Sequence, residues 1–213
     1  MSRPATPASP FARLIAGALR RPIVRAAWTG LRDVWWDLRR RRAPGVDLPA
    51  APERLLFVCQ GNICRSPFAA ERATALLRAA GRHDITCASA GYDPSQDVAS
   101  PQHAVTVAAR YGVDLSRHAP HALGLDGTAD VIFVMESRQI DIVARRGPAL
   151  LPRLRLLPAF AQPPVRGYRG LNIPDPFGQP LTAFERCYED IDRALHGLVA
   201  RLGPSLPRQS RVS

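Results

Sequence analysis

The sequence predicts an α/β fold of three layers: a central four-stranded parallel sheet, helices on both faces, and a phosphate-binding loop after the first strand. Three observations carry that reading. From residue 54 onward, short apolar runs alternate with stretches of helical spacing, the pattern of a parallel sheet covered on both sides. The first apolar run ends in Cys59-Gln60-Gly61-Asn62-Ile63-Cys64-Arg65-Ser66-Pro67, where Gly61 and Asn62 tolerate left-handed backbone angles just before a helical pattern begins. Of 213 residues, 46% are hydrophobic and 22% charged, enough for one well-packed domain and something extra.

Taken in order, residues 55–58 read as a buried strand. Residues 67–80 follow as a helix, with Pro67 in its first turn and Gly81 as its stop. A second strand is expected at 85–88 and a second helix at 101–111, ending at Gly112. Residues 131–135 are the third strand, 138–145 the core of a third helix, and 153–157 a fourth strand. A long Pro/Gly loop spans about 158–180, and 181–202 carry the closing helix. There is no internal repeat.

The domain organisation follows as a basic amphipathic extension and linker at 1–52, the α/β domain at 53–203 and a flexible tail at 204–213. The net charge is +11, all of it from arginine since lysine is absent, and residues 1–50 hold ten Arg against three Asp. The basicity therefore belongs largely to the extension, which points to an acidic surface as its partner rather than to a basic domain; no nucleic acid is expected. Residues 1–10 are rich in Pro, Ser and Ala and read as disordered. Residues 11–42 show helical periodicity in two phases parted at Pro22, with Trp28, Trp35 and Trp36 among arginines, and 43–52 form a linker. Such a stretch fits a helix lying on an anionic membrane; packing on the chain's own domain, pairing with another subunit, or disorder are its alternatives. No signal-peptide pattern and no uncharged apolar run of about 18 residues is seen, so the cytoplasm is the expected compartment.

The chemistry is concentrated in the loop after the first strand. Curled between a strand end and a helix N-terminus, residues 60–66 can point successive N–H groups inward and form an anion nest. Cys59 and Arg65 bracket that nest. A thiol at a helix N-terminus beside a guanidinium is readily ionised, and Arg65 can grip two oxygens of a tetrahedral anion while Ser66 hydrogen-bonds the sulfur. The four cysteines, at 59, 64, 87 and 187, could alternatively ligate metal, but Cys59 and Cys64 have no matching second pair, so neither metal nor cofactor is expected. A nucleotide-binding Walker loop needs lysine, which the chain lacks. Cys87 and Cys187 read as packing residues.

The run Cys59 to Ser66 resembles the signature Cys-x5-Arg-Ser of the low-molecular-weight protein tyrosine phosphatase family, bacterial type. The likeness continues through Ser89-Ala90-Gly91, Ser116-Arg117-His118-Ala119, Asp175-Pro176-Phe177 and Cys187-Tyr188-Glu189-Asp190-Ile191, over about residues 53–202. It implies a cofactor-free phosphatase that acts on phosphotyrosine through a phospho-cysteine intermediate. Cys59 would be the nucleophile and Arg65 the phosphate clamp. Asp175, stiffened by Pro174 and Pro176, would be the acid that protonates the leaving oxygen and then activates water. Gln60, Gly61, Asn62, Ile63, Cys64, Arg65 and Ser66 would bind phosphate, with Asn62, Ser89 and His118 supporting the loop. Phe177 and Tyr92 would wall the substrate cleft. In relatives a pair such as Cys59 and Cys64 can form a reversible disulfide; a small apolar loop residue is the other reading of Cys64. Ile63 stands where arginine-phosphatase members carry Thr, and Glu136 where the family usually has Asp. Bacterial relatives often act on membrane tyrosine autokinases of polysaccharide export, so a phosphorylated membrane kinase is the implied partner, met at the inner membrane through residues 11–42. The alternatives are an arsenate reductase of the same fold, which needs further cysteines near the third strand, and a non-catalytic phosphotyrosine-binding regulator, which would not need Cys59, Arg65 and Asp175 together.

Overall fold

A computed structural model of the chain describes residues 46–94, 98–124, 128–165 and 167–204. The amphipathic stretch expected at 11–42 and most of the tail expected from 204 lie outside the described residues.

Four strands form one sheet: β1 (Arg54–Cys59), β2 (Thr86–Gly91), β3 (Val131–Val134) and β4 (Leu154–Leu156), in the order β2-β1-β3-β4. All pairs are parallel, with Phe57 opposite Phe133 and Ser89, and Cys59 opposite Gly91. β3 is buried on both faces and reads as a continuous apolar run, while β2, at the sheet edge, keeps Thr86 and Ala88 exposed. Leu55, Phe57, Cys59, Val131 and Phe133 join the core made with α1 (Arg65–Ala79), α2 (Gln102–Ala109) and α5 (Leu181–Leu202). The residues between them, Val58, Ile132 and Val134, are equally buried on the other side, where α3 (Ser137–Arg146) and a 3₁₀ turn (Pro148–Arg153) lie against β3 and β4.

The helix ends follow local chemistry. After α1, Gly81 takes a φ of 74°; its N–H bonds the Arg78 carbonyl while Arg82 N–H bonds Leu77, the Schellman closure that glycine permits. Gly112 repeats this after α2. At the start of α3, Gln139 Oε1 accepts from the N–H groups of Met135 and Glu136 at 2.8 and 3.1 Å, satisfying donors that the helix cannot. α1 begins two residues before the expected Pro67, because a proline in the first turn removes an N–H that has no intrahelical partner. The segment expected as one loop at 158–180 contains a 3₁₀ turn (Leu157–Phe160) and a short α4 (Gly167–Gly170). The fourth strand is trimmed to three residues between Pro152 and Pro158, neither of which can donate to a ladder.

The connection from β1 runs to β2 on one side and that from β3 to β4 on the other, so the chain order reverses between β1 and β3, and a crevice opens beyond Cys59. α5 packs on the 3₁₀ turn Leu157–Phe160 at very short range: a Cβ on Gly197 would lie 1.8 Å from the Phe160 carbonyl oxygen. Gly197→Ala is therefore expected to lower the unfolding free energy by about 2–3 kcal/mol in a urea titration. A loss under about 0.5 kcal/mol, the scale of a neutral surface change, would show that α5 does not pack backbone to backbone on that turn.

Candidate active site

The loop Gln60–Cys64 turns on Asn62, whose φ of 55° is the one left-handed non-glycine value among the described residues. Asn62 is wholly buried, and every polar group on its side chain is used. Its Nδ2 donates to Ser66 Oγ and to Ser89 Oγ, both at 2.9 Å, and its Oδ1 accepts from His121 N–H at 2.7 Å. His118 Nε2 meets the Asn62 carbonyl at 2.7 Å. A carbonyl only accepts, so His118 carries its proton on Nε2. Burial depresses the proton affinity of His118 further than the Asn62 bond restores it, which keeps the ring neutral.

Four loop carbonyls are held from outside. Tyr92 N–H takes Cys59 C=O at 3.1 Å and Asp93 N–H takes Gln60 C=O at 3.0 Å. His118 takes Asn62 C=O, and Tyr188 O–H donates to Cys64 C=O at 3.1 Å. In a trans peptide the next N–H points opposite to the carbonyl. Drawing these carbonyls outward therefore turns the N–H groups of Gln60, Gly61, Ile63 and Arg65 to the inner side of the loop, an arrangement that stabilises an oxyanion.

Cys59 Sγ lies 3.1 Å from Ser66 Oγ. Since Ser66 Oγ already accepts from Asn62 Nδ2, its own proton is free for the sulfur or for the Ala90 carbonyl at 3.3 Å. Arg65 is fully buried, with Nη1 bonded to Glu136 Oε1 at 2.5 Å and to Ile173 C=O at 3.1 Å, and Nη2 bonded to Asp175 Oδ2. Burial alone would lower the Arg65 pKa; the Cys59 sulfur, Asp175 and Glu136 outweigh it and raise the value, so the guanidinium stays charged. Its Nε has no hydrogen-bond partner among the described residues. Glu136 is itself gripped from the other side by Arg138 Nε at 2.8 Å.

A pocket of about 220 Å³ opens over the sulfur. Cys59, Gln60, Gly61, Ile63 and Cys64 form its floor, and Asp93, Val98, Asp175 and Phe177 its rim. Asn62, Arg65 and Ser66 are fully buried and do not line it with their side chains. Phe177 lines the pocket and is 55% exposed. Tyr92 is not a wall. It is not among the lining residues; it is 6% exposed, and its ring lies under the Arg146 guanidinium at 5.8 Å. Sequence reasoning missed Asp93, Val98, Glu136 and Tyr188. Glu136 gave a signal by departing from the usual residue after Met135, and Tyr188 by lying in the matched run Cys187–Ile191. The four cysteines are free thiols, and burial pushes the Cys64 thiol up. Among the described residues no group of three His, Cys, Asp or Glu could hold a metal ion.

A family model described as low molecular weight phosphotyrosine protein phosphatase matches residues 54–208. The probable low molecular weight protein-tyrosine-phosphatase EpsP of Ralstonia nicotianae is 35% identical over 150 residues, which cover 70% of this chain and 94% of that protein. The protein-arginine-phosphatase of Geobacillus stearothermophilus is 29% identical over 153 residues, covering 71% of this chain and 97% of its own. The crystal structure of the Erwinia amylovora tyrosine phosphatase AmsI superposes with a TM-score of 0.62 at 29% identity, covering 71% of this chain and 93% of that one.

The loop lies directly on Gly91, where a Cβ would sit 2.6 Å from the Gln60 carbonyl oxygen and 3.1 Å from Asn62 N. Gly91→Ala is expected to push the loop out of register and weaken orthophosphate binding about tenfold in calorimetry, the equivalent of about 1.4 kcal/mol. Unchanged affinity would show that the loop does not depend on its seat against β2.

Proposed function

The chain belongs to the low molecular weight phosphotyrosine protein phosphatase family, and from that premise we propose that it hydrolyses protein phosphotyrosine in two steps through phospho-Cys59. The observation that carries the mechanism is one pocket with the Cys59 sulfur and loop peptides on its floor, the buried Arg65 fork behind them and Asp175 at its rim. In the first step the Cys59 thiolate attacks phosphorus and the bond to the phenolic oxygen breaks. Protonated Asp175 delivers its proton to that oxygen, so tyrosine leaves neutral. In the second step Asp175 takes a proton from water, the water oxygen attacks phosphorus, and the sulfur leaves as thiolate, stabilised by the Ser66 hydroxyl. Inorganic phosphate is the product.

Arg65 supports both steps. Its Nη1 is held by Glu136 and Ile173, which fixes the plane of the guanidinium. Nε, which lacks a partner among the described residues, and Nη2, once Asp175 turns to the leaving oxygen, form the bidentate edge for two phosphoryl oxygens. Ile63 lines the pocket where arginine-phosphatase relatives carry Thr, which favours an apolar phenyl ring over a guanidinium. Phe177 faces that ring from the rim.

The substrate in this reading is a phosphorylated tyrosine kinase at a membrane, with residues 11–42 as the arm that brings the enzyme there. The support is compositional: all three Trp residues of the chain, at 28, 35 and 36, sit among the arginines of the extension. No helix among the described residues is long and apolar enough to cross a membrane.

Hydrolysis of an aryl phosphate tests the chemistry. Cys59→Ser is expected to abolish turnover, and Asp175→Ala to lower kcat by about 10²–10⁴-fold, the usual contribution of a general acid. Retained turnover in the Cys59 variant would defeat the mechanism. For the arm, the full-length chain is expected to float with vesicles containing anionic lipid while residues 51–213 do not. Equal flotation of the two would remove the arm from the reading.

A further inference from the structure

Resting on the phosphatase reading above, we infer that Tyr188 is a positioning residue for the reaction: from α5 its hydroxyl holds the Cys64 carbonyl and so aims the Arg65 N–H into the phosphate cradle. Of the four carbonyls held outward around the loop, two are bonded by main-chain N–H groups that no side-chain change can remove. The other two depend on side chains, His118 and Tyr188. His118 also belongs to the contacts around Asn62; Tyr188 bonds a different carbonyl, 124 positions away in sequence.

Tyr188 makes two contacts with the start of α1. Its ring stacks face to face on Phe68, with centroids 3.9 Å apart and planes 2° from parallel, which holds the first turn of the helix. Its hydroxyl then bonds the carbonyl of the residue just before Arg65, at 3.1 Å. The ring needs no hydroxyl to fill its space, and an unused phenolic O–H would be costly where Tyr188 sits, wholly buried. The Cys64 carbonyl is the acceptor that accounts for it. Burial raises the phenol's pKa, with the Cys64 sulfur adding to the shift, so the group remains a donor. The peptide it holds is the last of the loop. The N–H of that peptide belongs to the helix N-terminus, where an equatorial phosphoryl oxygen gains from both the hydrogen bond and the aligned helix dipole.

The test compares the full-length wild type with Tyr188→Phe, which keeps the stacked ring and removes only the hydroxyl. Orthophosphate affinity is measured by calorimetry, the Arg65 amide by its NMR shift on phosphate addition, and kcat/KM on an aryl phosphate. The expected result is a thermal midpoint within about 4 °C of wild type, the shift that a change near 1 kcal/mol produces. With it should come a rise of about 3- to 10-fold in the phosphate Kd, a reduced Arg65 amide response and a kcat/KM lowered by at least the same factor. Unchanged phosphate affinity overturns the inference, whether stability falls or not, because the hydroxyl would then serve packing alone. A Phe variant that does not fold at 25 °C overturns it for the same reason. Should the wild type bind phosphate but turn over no aryl phosphate, the phosphatase reading fails while the binding comparison still decides the role of Tyr188.

Discussion

The structure around the pocket is organised by a single electrostatic constraint: a guanidinium with no exposed surface must be held charged inside the protein. Arg65 meets that constraint with Glu136, the Ile173 carbonyl and Asp175, and with the Cys59 sulfur nearby. Removing one partner from a buried ion pair typically costs about 3–5 kcal/mol, because the other charge is left without compensation. Arg65 therefore ties together elements that are distant in sequence. Glu136 comes from the start of α3, Ile173 and Asp175 from the segment before α5, and Arg65 itself from the start of α1. Arg138 closes the outer side of Glu136, so that carboxylate is shared between a buried and an exposed cation.

The loop obeys a complementary rule. A curled backbone whose N–H groups face inward must present its carbonyls outward, and each carbonyl then needs a donor. Continuation of the chain past β2 supplies two, through Tyr92 and Asp93, and the side chains of His118 and Tyr188 supply the others. The segment carrying His118 is itself fastened to the sheet edge. Gly91 N–H bonds the His121 carbonyl at 2.8 Å, and Leu123 N–H bonds the Gly91 carbonyl at 2.9 Å. Asn62 stands at the centre, joining that segment to Ser66 and Ser89. The cradle is thus set before any anion arrives, and little reorganisation is left for the moment of reaction.

Much of this was legible in the sequence. The helix Leu181–Leu202 has the expected bounds, since its apolar period is long and Pro180 and Gly203 mark its ends. The loop from Cys59 to Ser66 was readable because strand, glycine, asparagine and helix start follow one another locally. Asp175 and Phe177 came into view only through resemblance, an Asp between prolines being by itself a turn residue. What could not be read depends on long-range packing. Nothing local to Tyr92 says that its N–H will be taken by Cys59 and its ring drawn inward. Val98 and Asp93 reach the rim because of where the chain runs after β2. The bond from Tyr188 to Cys64 joins positions that only the tertiary fold brings together, and the turns within 157–170 follow backbone needs that Pro and Gly content leaves ambiguous.

The pairing of Asp175 with Arg65 also bears on how the proposed reaction starts. Asp175 and Glu136 both bond the Arg65 guanidinium, with the Cys59 sulfur nearby. In the proposed reaction a phosphoryl group entering the pocket competes with Asp175 for the same Nη2, and that competition frees the carboxyl to face the leaving oxygen. The buried bond from Arg65 to Glu136 holds the guanidinium in place while its other partner is exchanged.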